Sequence, residues 1–327
     1  MQYRSVKGIS GQGQLGVLLL FTGLGLVLAM LFQYLIGLLL LGHVMPMEKM
    51  QQAVIEAMKK PENLGYARLS QISGTFFMLF LPAVLYLFVC HGRNSFWLGF
   101  NKYINYKQIM IGFFLIFCAG IIAGPLADLS KNLFTHFPAL EISAKQMETS
   151  YNSQVIALSN LKSWGEFLMA IVIMAFFPAL FEEIFFRGAL QNILERWWKA
   201  PLLAVLVSAV LFSVIHMSFY LFLSRALLGF ILGLMYMQSK NIWVNIGAHF
   251  LNNLVALIQL FWISRHGQIV EVDKLDPNLP LWGVFIALVF ASGIFILFKK
   301  VSEKNRMLIA FEEQNLMEKQ ETGYTSK

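Results

Sequence analysis

A chain of 327 residues of which 57% are hydrophobic and only 13% charged, with a mean hydropathy of +0.64, is too apolar to fold as one or two water-soluble domains. The formal charge of +7 does not point to nucleic acid, because the basic residues are scattered at the ends of apolar stretches instead of clustering with aromatics in a polar module. Only two cysteines occur, Cys90 and Cys118, both in or at the end of apolar stretches, which supports neither a disulfide framework nor a cysteine-rich metal site.

The chain therefore reads as an all-α polytopic membrane protein of about eight transmembrane helices, each needing roughly 20 apolar residues to cross a hydrocarbon core about 30 Å thick. The first stretch, Leu15 to Leu41, is longer than the apolar part of a secretory signal, and no A-x-A-like site follows, so it is expected to stay as an anchor. The second runs from Ile72 to Cys90 with a kink expected at Pro82, and the third from Ile109 to Leu126. The fourth begins near Phe167, carries Glu182 and Glu183, and continues to about Trp197. Pro201 marks a restart, since proline suits the first turn of a helix. The fifth then spans Leu202 to Met217, the sixth Tyr220 to Met237, the seventh Ile242 to Trp262 and the eighth Leu281 to Phe298.

Two intervals, His43 to Gln71 and Ser130 to Glu166, mix apolar and charged residues. Short helices on the membrane surface and plain solvated loops describe them equally well. The end from Val301 to Lys327 turns polar and is expected to be a mobile cytoplasmic tail. Three units follow: 1–164 with three spans and two long loops, a core at 165–265, and 266–327 with the last span and tail. Placing both termini in the cytoplasm puts most of the basic helix-end residues inside, and the scarcity of cysteine with no organelle-targeting signal fits a bacterial inner membrane.

Charge inside the spans carries the functional information. Glu182, Glu183 and Arg187 lie within six residues of one another in FFPALFEEIFFRGAL, although one charge near the middle of a membrane helix costs about 2.5–3.5 kcal/mol. His216 follows on the fifth span in FSVIH, and His249 and Asn253 on the seventh in NIGAHFLNN. Residues four apart share a helix face, which pairs Phe212 with His216, His249 with Asn253, and Glu183 with Arg187 in the favourable glutamate-first order. Glu182 is rotated by about 100° from its neighbour and is the freer carboxylate. Facing two imidazoles, it is suited to take a proton from water and return it to a leaving amine.

Each of these groups taken singly reads more simply. A lone histidine, or the His249–Asn253 pair, is commonly a hydrogen-bonded helix contact. Arg225 reads as a residue reaching for the interface, Gly229 with Gly233 as a close helix contact, and Phe185, Phe186, Trp197 and Trp198 as lipid or interface contacts. As a set, Glu182, His216 and His249 match the His₂Glu ligands of some catalytic Zn²⁺ sites, but they come from three helices, and Asn253 is a poor zinc ligand. A metal-free site is equally open, with Asn and His donors each worth about 3 kcal/mol to an oxyanion. An ion-coupled transporter is the rival from another class, without the inverted repeat that would favour it, and a non-catalytic membrane scaffold or immunity protein is a further one.

The strings EEIFFR, FSVIH and HFLNN fit EExxxR, FxxxH and HxxxN, in that order and each inside an apolar span. With them, the stretch from about Glu166 to Ile263 resembles the CPBP intramembrane proteases. That family takes in type II CaaX prenyl endopeptidases, bacteriocin-processing and immunity proteins, and proteins similar to lysostaphin resistance protein A. The resemblance implies an eight-helix core with a catalytic cavity inside the membrane, cutting a membrane-associated or prenylated peptide within the lipid bilayer. It implies that Glu182 activates water with His216 assisting, that His249 and Asn253 stabilise the oxyanion, and that Glu183 and Arg187 support them. It leaves metal dependence open.

Overall fold

The computed structural model describes residues 3–58, 60–158, 161, 163–266 and 280–324. It is all-α, and the described residues hold no strand beyond one isolated bridge between Arg4 and Ser10. The helices are α1 (Gly11–Leu41), α2 (Met47–Met58), α3 (Leu64–His91), α4 (Tyr106–Thr135), α5 (Pro138–Leu158), α6 (Trp164–Trp198), α7 (Pro201–Val214), α8 (Phe222–Ser239), α9 (Ile242–Arg265) and α10 (Leu281–Tyr324). Among the described residues seven of these, all but α2, α5 and α7, are long and apolar enough to cross a membrane, and the chain is an integral multi-pass membrane protein.

Local chemistry sets the boundaries. The Ser10 hydroxyl accepts the Gly13 amide to open α1, and Gly42, at φ +74°, closes it with its amide on the Leu38 carbonyl. A capping box of Ser163 and Glu166 opens α6. Both α3 and α6 widen into π-helical turns, over Phe76–Phe80 and Ile171–Phe176, just before Pro82 and Pro178. A proline has no amide to give the carbonyl four residues back, and a widened turn accommodates that break without ending the helix. The kink expected at Pro82 is thus a π turn. The α6 helix widens again over Ile184–Gln191, this time without a proline.

The core is organised around α6, in which every residue from Phe181 to Leu194 is buried. Phe185 and Phe186, expected at lipid, are instead 7% and 1% exposed and belong to this core, while Trp197 packs against Gly11 of α1. Lipid is as apolar as leucine, so helices gain little by hiding from it and associate through close packing. Gly25 shows the consequence: a Cβ there would lie far inside contact with the Phe77 carbonyl oxygen of α3, whereas one at Gly23 would meet nothing within 4 Å. Gly25→Ala is therefore expected to lower the melting midpoint in detergent, with about 1–3 kcal/mol of overpacking, while Gly23→Ala leaves it unchanged or higher. Equal midpoints for the two variants would remove Gly25 as the α1–α3 contact.

Several expectations need correction. Of the two readings open for the intervals 43–71 and 130–166 the helical one holds, since they contain α2 with the start of α3, and α5. Met50 and Val54, one turn apart, seat α2 on Gly37 of α1. The fifth span stops at Val214, and a 14-residue α7 is about 21 Å long, too short to cross alone. Its end is fixed by the His216 ring nitrogen on the Phe212 carbonyl and by Met217, whose φ of +53° breaks the helix. The tail is helical as far as Tyr324 and docked: Gln108 donates to the Ser302 hydroxyl, Arg306 to the Gln238 side chain, and Glu313 pairs with Arg196 at 3.2 Å.

Candidate active site

The polar residues of α6 divide into two environments. Glu183 is fully buried and saturated. Its Oε1 accepts from Arg187 Nη1 at 3.1 Å and from His249 Nδ1 at 3.0 Å, and its Oε2 accepts from Asn245 Nδ2 at 3.1 Å. One carboxylate thereby ties α6 to α9. The Arg187 guanidinium, also fully buried, donates from Nη2 to the Gly229 carbonyl of α8 at 2.9 Å and lies over the Phe212 ring of α7, 4.9 Å from its centroid. Gly229 is the close helix contact its spacing suggested, since a Cβ there would press on Ala209 and Phe212. The approach leaves its carbonyl within reach of Arg187.

Glu182 is different. It is 8% exposed, its Oε1 lies 4.0 Å from His216 Nε2, and its Oε2 lies 3.9 Å from His249 Nε2. Both distances exceed a direct hydrogen bond. His249 gives its Nδ1 hydrogen to Glu183, and His216 gives its own to the Phe212 carbonyl at 2.7 Å, so in these tautomers each Nε2 carries a lone pair. Three acceptors, from α6, from the turn after α7 and from α9, therefore converge with no donor among them. Such a cluster is chemically suited to hold something that brings protons or positive charge, and a water molecule in contact with Glu182 meets that requirement.

The donor set has the composition of a catalytic zinc site, and the Glu183 carboxylate behind His249 resembles the outer-shell partner of a metal-bound imidazole. The spacing does not fit as it stands. Ligands at 2.0–2.2 Å in a tetrahedron lie roughly 3.3–3.5 Å apart, less than the observed 3.9 and 4.0 Å. Among the described residues no group of three His, Cys, Asp or Glu is placed to hold a metal ion.

Of the six candidate residues, the structure brings Glu182, Glu183, Arg187, His216 and His249 together. Asn253 lies one turn further along α9, half-buried, with its amide 3.5 Å from the Ala175 carbonyl in the widened turn of α6. Asn245 went unnoticed in the sequence, although Asn245, His249 and Asn253 repeat at intervals of four and so share a face. Arg225 is half-buried: its Nη1 donates to the His216 carbonyl at 3.3 Å and its guanidinium lies 4.6 Å from the Tyr151 ring centroid. A cavity of about 480 Å³ opens elsewhere, between α1, α2, α3 and α5, and none of the six residues lines it.

Comparison with known proteins places this centre in context. Residues 164–255, which span all three motifs, match the family described as type II CAAX prenyl endopeptidase Rce1-like. A Bacillus subtilis (strain 168) protein named only as the uncharacterized protein YyaK is 26% identical over 255 residues, covering 70% of this chain and 78% of the relative. A second protein of the same organism, YdiL, named as a candidate membrane peptidase, is 30% identical over 123 residues, 36% of this chain and 47% of the relative. No solved structure matches the chain.

Proposed function

We propose that this multi-pass membrane protein, Rce1-like over residues 164–255, is an intramembrane endopeptidase that hydrolyses a membrane-associated peptide with Glu182 as the base. The observation that carries the reading is the convergence on Glu182 of two imidazoles with free Nε2 lone pairs, each oriented by its own Nδ1 partner. Glu182 accepts one proton from water as the water oxygen bonds to the scissile carbonyl carbon. The carbonyl electron pair moves onto its oxygen. Collapse of the tetrahedral species breaks the C–N bond, and the departing nitrogen takes the proton from Glu182, leaving one carboxylic acid and one amine.

The histidines take different parts in this scheme. His216, half-buried on the turn after α7, assists at the water. His249 is held by the Glu183 carboxylate, so a proton taken from solvent onto its Nε2 before attack gives an imidazolium that is compensated at once, donates a hydrogen bond to the oxyanion and keeps that proton through the cycle. Asn253 serves the oxyanion only if its amide swings away from the Ala175 carbonyl, and at 3.5 Å that contact is weak enough to yield. Glu182, His216 and His249 would hold Zn²⁺ only on closing from the observed 3.9 and 4.0 Å, and the ion would then supply Lewis-acid polarisation of the carbonyl.

The test is release of new peptide termini, read by mass spectrometry, from membrane-peptide libraries with and without prenylated cysteine, incubated with the protein in liposomes. An endopeptidase yields internal cuts at recurring positions. Preference for the prenylated library would assign that substrate class, and loss of cutting with a chelator, restored by zinc, would assign the metal. A folded protein that releases no peptide from either library would overturn the reading.

A further inference from the structure

Arg225 is a charged group beside the candidate site that the scheme above leaves unused. It sits in a membrane-spanning helix, within the first turn of α8, where the positive end of the helix dipole makes a cation unfavourable. Intramembrane charges are ordinarily paired. Arg187 has Glu183, Arg196 has Glu313 and Lys240 has Glu195, but among the described residues no Asp or Glu lies within ion-pair distance of Arg225. One of its five donors reaches the His216 carbonyl, a neutral oxygen, and one face of its guanidinium covers Tyr151. The side chain is half-buried rather than sealed, and the residue whose carbonyl it holds, His216, has its ring 4.0 Å from Glu182.

The surroundings hold it in place. Glu148 of α5 accepts from the Ser218 hydroxyl at 2.8 Å and Tyr151 stacks on the guanidinium, so α5 braces the turn that carries His216, Met217 and Ser218. The Ser218 hydroxyl in turn accepts the Leu221 amide, and the Ser130 hydroxyl accepts the Leu223 amide, at the start of α8. A guanidinium held on the turn that bears His216, with a helix N-terminus behind it and no ion-pair partner among the described residues, keeps forked donors available close to the residue that faces Glu182.

We propose that Arg225 is a specificity-determining residue of this centre, binding a carboxylate carried by the peptide substrate next to the bond that is cut. The inference rests on the endopeptidase reading. The carboxylate is that of a chain terminus or of an Asp or Glu side chain, and the recognition is the same in either case: a bidentate, charge-assisted pair in a water-poor site, worth on the order of tenfold or more in affinity.

The experiment measures binding and cleavage separately on the full-length protein in liposomes. The probes are a short Leu/Ala peptide with a free C-terminal carboxylate, its carboxamide, and the carboxamide carrying one internal Glu or one internal Gln. Wild type is expected to bind one acidic form about tenfold more tightly than its amide counterpart, and which pair differs identifies the source of the carboxylate. Arg225→Gln is expected to abolish that difference while leaving the amide forms unchanged. Arg225→Lys, which keeps the charge but not the fork, should fall between them and serves if the glutamine variant does not fold. Equal binding of acid and amide by the wild type overturns the proposal, as does equal loss for both in Arg225→Gln, the pattern of a residue that only braces the His216 turn. The cleavage arm separates the two claims. Acid-selective binding without any cleavage supports Arg225 and counts against the endopeptidase, whereas cleavage without acid preference does the reverse.

Discussion

Glu182→Gln is expected to lower peptide hydrolysis by about 10²–10⁴-fold, the usual contribution of a positioned general base, with the effect in kcat and little change in KM. The substitution is nearly isosteric and removes only the proton-accepting charge. It should also leave the fold intact, for a specific reason. Among the described residues no arginine or lysine forms an ion pair with Glu182; it faces two imidazole lone pairs at 3.9 and 4.0 Å. A glutamine amide placed there brings a donor into a cluster made only of acceptors, so the melting midpoint should hold or rise. A stable variant that still cuts within tenfold of the wild-type rate would show that Glu182 is not the base. The same variant separates rivals of other classes, since a scaffold keeps its partner binding and an ion-coupled transporter loses flux with no peptide released in either form.

Much of the fold was legible because bilayer chemistry writes itself plainly into sequence. Long apolar runs gave most of the spans to within a few residues, and Pro201 restarted a helix where its chemistry said it would. The misjudged parts share a cause: their structure depends on tertiary partners. The α10 extension has no apolar signature after Phe298, yet it is held by polar contacts from Gln108, Gln238 and Arg196 that lie far away in sequence. The end of α7 is set by a histidine bonding back to its own helix, which periodicity cannot register.

At the candidate site the pairing of Glu183 with Arg187 follows from the four-residue interval, because that geometry is local to one helix. The second and third partners of Glu183, His249 and Asn245, come from α9, and Asn245 was passed over because an isolated asparagine reads as a cap or a helix contact. Depth was equally hidden. Counting residues from the expected cytoplasmic helix ends places His249 shallow and His216 deeper, yet both rings face the same Glu182 carboxylate, at 3.9 and 4.0 Å.

Breaking the Glu183–Arg187 pair is expected to have the largest effect on stability. Both side chains are fully buried, and removing one partner strands the other charge inside the protein, a loss of about 3–5 kcal/mol. Glu183→Leu should therefore lower the melting midpoint sharply, and Arg187→Leu should do the same. The double variant Glu183→Leu/Arg187→Leu strands no charge, and replacing a buried ion pair by apolar side chains is often near neutral, so part of the stability should return and the double-mutant cycle should show strong coupling. Activity should not return with it. His249 would lose the carboxylate that fixes its Nδ1 hydrogen and compensates an imidazolium, and Asn245 would lose the bond that helps hold α9 against α6. Measured melting midpoints and cleavage rates for the three variants thus separate the two duties of Glu183. If the double variant recovers both, the carboxylate behind His249 has no part in the reaction, and the role of His249 reduces to packing.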